Sequence, residues 1–186
     1  HYITFPILKA YAEKFGPVGV IHFDAHSDLW PDDDLSRIDH GTMMYKAVKQ
    51  GYVDPARSVQ IGIRTVTEDY LGVNVITARE AHEWGVPRVV ETVKGIVGDG
   101  PTYLTFDIDA LDPAFAPGTG TPVWGGLASW QAAAMLRDLA GINRGAAGGG
   151  QRRAARRQRD ATACHPGPCT RGGAALRVAH HEWCPT

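Results

Sequence analysis

Asp24, His26 and Asp28 sit two residues apart directly after the apolar run Val18–Phe23, and Asp107 and Asp109 follow Tyr103–Phe106 in the same way. In extended chain, residues two apart face the same side. Asp24 and His26 therefore point together, as do Asp107 and Asp109, and Asp28 can return toward the first pair once its strand ends. A solvated turn explains either run taken alone. Together they place four carboxylates and an imidazole at the carboxyl ends of two strands, where open α/β sheets put their sites. Like charges so crowded repel, and a pair of divalent cations relieves that repulsion. Carboxylate oxygens joined by one or two imidazoles suit manganese or magnesium better than thiophilic metals, and no Cys lies nearby in the sequence. Two ions roughly 3.5–4 Å apart can share bridging carboxylates and acidify a water between them.

The elements that must position these residues alternate between strand and helix. A helix is expected from Pro6 to Phe15, with Pro6 in its first turn. The short apolar run Val18–Phe23 reads as a buried parallel strand. A polar loop from Pro31 to Asp39 leads into a helix near Thr42–Lys49. Ser58–Ile63, Val73–Ile76 and Tyr103–Phe106 are further strands, with a helix around Val89–Val97 between the last two. A Pro/Gly-rich loop covers Pro113–Gly126, and Ser129 offers an N-cap for a helix reaching Leu139. This alternation predicts an α/β fold, a three-layer αβα sandwich around a mainly parallel sheet.

At 186 residues, 44% of them hydrophobic, the chain suffices for one domain. A net charge of −1 argues against nucleic-acid or membrane partners chosen by bulk charge. No apolar stretch is long enough to span a bilayer, and no leader opens the chain. Starting at His1 rather than Met, the chain reads as a fragment. Cys164, Cys169 and Cys184 do not form a disulfide framework, so a cytoplasmic location is expected. Residues 1–143 form the partial catalytic domain. From Arg144 to Thr186 the chain is dominated by Gly, Ala, Arg and Pro and contains no Lys. That tail buries too little to offset its ordering entropy and is expected to be disordered. Its Arg152-Arg153 and Arg156-Arg157 pairs read as part of a flexible tail rather than a nucleic-acid patch.

Three ordered runs resemble the arginase/agmatinase ureohydrolase family: VIHFDAHSD over Val20–Asp28, FDIDALDP over Phe106–Pro113, and PGTGTPVWGGL over Pro117–Leu127. The resemblance is colinear from His1 to about Asn143, and its family fold is a three-layer sandwich with a parallel sheet. It implies two Mn2+ ions. His1, matching the histidine that closes the family's Gly-Gly-Asp-His motif, would bind the first ion with Asp24, Asp28 and Asp107. His26 and Asp109 would hold the second, with Asp24 and Asp107 bridging. The run Asp39–Met43 resembles the agmatinase form of a further motif, whose histidine, here His40, assists proton transfer near the substrate. An imidazole suits that task near neutrality. His22 shares the parity of Asp24 but lies deeper, as a hydrogen-bonded core histidine. Asp112-Pro113 and the Gly118–Gly126 loop shape the wall of the site.

The implied reaction is hydrolysis of agmatine to putrescine and urea, by attack of a metal-bridging hydroxide on the guanidinium carbon of a small cationic substrate. Guanidinobutyrate and arginine remain open as substrates, and the intact family member is expected to be a homo-oligomer. The family's Val-Glu-Val run, whose glutamate pairs with the guanidinium, is absent. Codons for Gly148-Gly149-Gly150-Gln151-Arg152, read one base later, permit Val-Glu-Val-Asn, so a frameshift near Asn143 is expected and activity of the chain as written should be weak or nil. A non-catalytic metal-binding remnant is the rival reading. A metal-dependent deacetylase on a related fold is disfavoured by the paired clusters, since it would ordinarily need one metal.

Overall fold

The computed structural model describes residues 1–32, 34, 36–140 and 142. The tail from Arg144 and the frameshift read from it lie outside the described residues.

Helix α1, Thr4–Phe15, buries Phe5 and Leu8 and stops at Gly16. Gly16 adopts a φ of 76° while its N–H still donates to Ala12 O, a left-handed stop that glycine makes at little cost. Strand β1, Gly19–Phe23, is buried along its whole length. Helix α2, Met43–Lys49, follows a long loop, and β2, Val59–Ile63, is again fully buried. Strand β3, Asn74–Thr77, runs straight into α3, Ala78–Val97. Strand β4, Thr102–Phe106, and helix α4, Ser129–Leu139, complete the order. The strands lie β3-β2-β1-β4, every pairing parallel.

Parallel strands need crossovers, and those crossovers cover both faces of the sheet. Alternation along β1 shows the two layers. Ile21 and Phe23 pack with α3 and α4 residues such as Val89, Val93 and Met135, whereas Val20 packs with Leu8, Met43, Met44 and Ala47 on the α1/α2 side. His22 and Asp24 share the parity of Val20, so both fall on the α1/α2 side. The expected three-layer α/β sandwich is what forms. None of the described helices is long and apolar enough to cross a membrane.

Two expectations differ from the structure. Helix α3 starts at Ala78, not near Val89. Thr77 Oγ1 accepts from Glu80 N at 3.1 Å and Glu80 Oε2 accepts from Thr77 N at 2.8 Å, a reciprocal cap that launches the helix directly from the strand. The helix then breaks at Gly85 (φ 72°, ψ 167°) just before Pro87, so only its second half carried the apolar spacing visible in sequence. In α4, Ser129 is the first helical residue and Ala128 is the cap, its N–H received by Gln131 Oε1 at 3.0 Å.

Gly62 is a glycine that the site itself requires. Gly62 has a φ of 96° at a register shift in the β2–β3 pairing, and an added Cβ would lie 3.2 Å from Asp24 O. Gly62→Ala should therefore lower unfolding stability by about 1–2 kcal/mol through left-handed strain alone. Denaturant titration checks this, and an unchanged midpoint would show that the backbone there relaxes freely.

Candidate metal centre

The end of β1 delivers the first cluster. Asp24 is only 2% exposed, and its N–H donates to Ile61 O on β2. Its Oδ1 accepts from the His26 N–H at 2.7 Å. Its Oδ2 stands 2.6 Å from His1 Nδ1 and 2.9 Å from His22 Nε2. Asp28 is turned back by a φ of 53°, a conformation Asp tolerates better than most residues. Its carbonyl accepts the N–H groups of Met44 and Tyr45 at 3.0 Å each, which satisfies orphan donors in the first turn of α2. The Asp28 Oδ2 then lies 3.6 Å from His1 Nδ1.

The end of β4 delivers the second. Asp107 N donates to Phe23 O at 2.8 Å, locking β4 to β1 one residue past the paired strands. Asp107 Oδ1 caps the short 3-10 turn Ile108–Ala110 by accepting from Asp109 N, and its Oδ2 lies 3.4 Å from His1 Nδ1. Asp109 Oδ1 accepts from Ala25 N at 3.1 Å. Its Oδ2 meets His26 Nδ1 and the Thr121 hydroxyl, each at 3.1 Å.

The residues form two groups whose potential ligand atoms lie within 4.8 Å of one another: His1, His22, Asp24 and Asp28 in one, Asp24, His26 and Asp109 in the other. Asp24 belongs to both. Asp107 falls outside both, with its Oδ2 3.4 Å from His1 Nδ1 of the first. His22 is the fully buried, hydrogen-bonded histidine expected, yet it also stands with the first group. His40 is exposed, its Nδ1 accepting from His1 N at 2.7 Å and its ring edge-on to Tyr2, which puts it beside the first group rather than within it.

Charge in this cluster is shared tightly. Burial opposes protonation of His1, but its bonds to Asp24 and Asp28 and the nearby charge of Asp107 raise its pKa to about 10. His26 is raised to about 10 by its bonds to Asp109 and Asp24. Burial pushes Asp24 upward, yet donors on His1, His22 and His26 outweigh it and hold this carboxyl well below the usual range. Asp28 and Asp109 are pushed upward, chiefly by burial. Imidazolium protons thus occupy the role that cations would take. The donor set, carboxylate oxygens with imidazole Nδ1 atoms facing inward, fits hard or borderline divalent ions. His1 Nε2 is 3.0 Å from Thr105 Oγ1, the outer contact that ligating imidazoles use to fix their orientation.

Several positioning residues were not singled out from sequence. Arg64 donates to the carbonyls of Asp109, Leu111 and Val123 at 2.6–3.2 Å, tying the loop after β4 to the end of β2. Asp112 accepts from Gly125 N and Gly126 N at 2.7 and 3.0 Å, closing the other side of that loop, in keeping with a wall role. Lys46 is fully buried; its ammonium bonds Asp32 Oδ2 at 2.5 Å, Asp34 O and Arg37 O, pinning the loop before α2. A lysine within the apolar helix run MMYKAVK and a glutamine within VQIGI were the available signals.

The chain is similar to known proteins over these described elements. The Arginase family model matches residues 1–147. An agmatinase of Chromobacterium violaceum is 54% identical over 144 residues, covering 77% of this chain and 45% of that protein. The crystal structure of a hypothetical agmatinase from Burkholderia thailandensis superposes with a TM-score of 0.75 at 60% identity, covering 77% of this chain and 46% of the other. Proclavaminate amidino hydrolase of Streptomyces clavuligerus superposes at 0.71 with 44% identity, covering 75% and 48%. The chain spans less than half the length of each of these relatives. Across the strands, loops and ligand groups described above, it belongs to the arginase family.

Proposed function

We propose that the two groups hold two manganese ions and that the chain represents the catalytic core of an agmatine-hydrolysing enzyme, forming putrescine and urea. The observation that carries this reading is Asp24, a single buried carboxylate common to two ligand groups. Identity above one half to proteins named agmatinase supports agmatine over other guanidino compounds.

His1, Asp24, Asp28 and Asp107 would hold one ion, and His26 and Asp109 the other, with Asp24 and Asp107 between them. Bound there, such a pair supplies a water acidic enough to act as a nucleophile at neutral pH. The chain's own residues do the rest. Thr121, bonded to Asp109, brings the Pro117–Gly126 loop against the second group and narrows the approach. His40, beside the first group, is suited to deliver a proton to the departing amine. The intact protein acts in the cytoplasm as a homo-oligomer. No Val-Glu-Val run follows α4 in the sequence, so the chain as written is impaired in this reading, with a frameshift near Asn143 as the origin and a non-catalytic metal-binding remnant as the alternative.

Urea release from agmatine in added manganese should be weak or nil for this chain and substantial once both ends are restored to the family pattern. Silence in both would defeat the assignment; faster turnover of guanidinobutyrate or arginine by the restored chain would move the substrate.

Metal uptake has a predicted sign with pH. His1 and His26, raised to about 10, carry protons near neutrality that incoming cations must displace. Manganese affinity should therefore rise with pH between about 6 and about 9, by roughly tenfold per unit for each proton displaced. Calorimetry in buffers of differing protonation enthalpy measures the release, and proton-neutral binding would contradict the ligand assignment.

A further inference from the structure

Gln60 lies in the middle of β2 with no exposed surface, opposite His22 in the β1–β2 register. Its Nε2 is 2.6 Å from Ser27 O and 3.0 Å from His22 Nδ1. A carbonyl oxygen can only accept, so the Gln60 atom facing Ser27 must be the amide nitrogen. The same nitrogen then donates to His22 Nδ1, which must accept. The His22 proton is thereby forced onto Nε2, 2.9 Å from Asp24 Oδ2. Among the described residues Gln60 Oε1 meets no donor, a cost that an apolar residue at this position would avoid.

We propose that Gln60 and His22 are positioning residues that set the plane of the shared carboxylate of Asp24 by fixing a donor onto its Oδ2. This rests on the metal-centre reading above. Asp24 is then held at both oxygens, by the His26 N–H on Oδ1 and by His22 Nε2 on Oδ2. The second of these bonds does not depend on His1, whose proton a bound cation would displace. His22 therefore acts as a donor to a ligand rather than as a ligand, and the unpaired oxygen of Gln60 is tolerated because its two N–H groups fix that donor. His1 Nδ1 and His22 Nε2 both face the same oxygen of Asp24, as two donors to one acceptor. His1 Nδ1 lies 3.2 Å from His22 Nε2, and the two rings meet edge to face at 4.7 Å.

The test uses the 186-residue chain. Long-range proton–nitrogen correlation spectra of the metal-free protein should show the His22 proton on Nε2; a proton on Nδ1 overturns the proposal, without any variant being needed. Gln60→Met, similar in size but without the donors, should keep or raise the metal-free unfolding midpoint and let His22 populate both tautomers. Its affinity for manganese, titrated by electron paramagnetic resonance, should fall roughly ten- to hundredfold, as loss of an outer-shell partner does. Unchanged affinity beside a redistributed tautomer would overturn the positioning role while leaving the metal centre standing. No manganese binding by the unmodified chain would instead sink the metal-centre reading, and the positioning role with it.

Discussion

Asp24 has its carboxyl group almost wholly withdrawn from water, at the end of a strand buried on both faces. A lone carboxylate there would be costly to ionise. It is ionised because His1 and His22 approach one of its oxygens and the His26 N–H the other. Everything else in the site follows from supplying those donors. The turn at Asp28 brings the chain back, α2 receives the Asp28 carbonyl, and β4 docks beside β1 so that Asp109 shares His26 with it. In the metal-free state this is a neutralised polar network rather than a bare acidic cleft, which is how so much charge stays folded.

The legible part of the molecule was the part governed by local periodicity. Parity put Asp24 with His26, which share a ligand group, and the apolar runs located all four strands to within a residue or so; parity also put Asp107 with Asp109, and Asp107 stands in neither group. Sequence spacing could not divide the ligands between groups. Asp107 shares the parity of Asp109, yet its side chain is drawn into capping the next turn, and that choice is made by a backbone N–H rather than by spacing. The first half of α3 was missed for a related reason. Its start depends on a reciprocal cap at Thr77 and Glu80, and its apolar face is interrupted at Gly85. Gln60 and Lys46 stood out only as polar residues in apolar runs, and nothing local names their partners 38 and 9 residues away.

Three tethers hold the loops around the cluster, and they differ in kind. Arg64 reaches several carbonyls with one planar fork, a task a lysine could not share. Asp112 gathers N–H groups from Gly125 and Gly126, and Gly126 must be glycine because a Cβ would meet the Asp112 backbone at 2.5 Å. Lys46 draws loop carbonyls down onto its own helix. Irregular backbone next to an array of charges is thus fixed mainly by side chains bonding to main chain, which leaves the carboxylates of the cluster to one another and to their imidazoles.

The strand order has a consequence in time. β1 lies between β2 and β4, both of which come later in the chain, and β4 supplies Asp107 and Asp109 from about 80 residues further on. The first ligand group lies within residues 1–28, but the second needs Asp109. A nascent chain emerging at roughly 5–20 residues per second would hold His1, His22, Asp24, His26 and Asp28 without Asp107 and Asp109 for several seconds. Loop closure across that span is the entropic step that parallel sheets complete late. The complete cluster can therefore form only once β4 has docked beside β1.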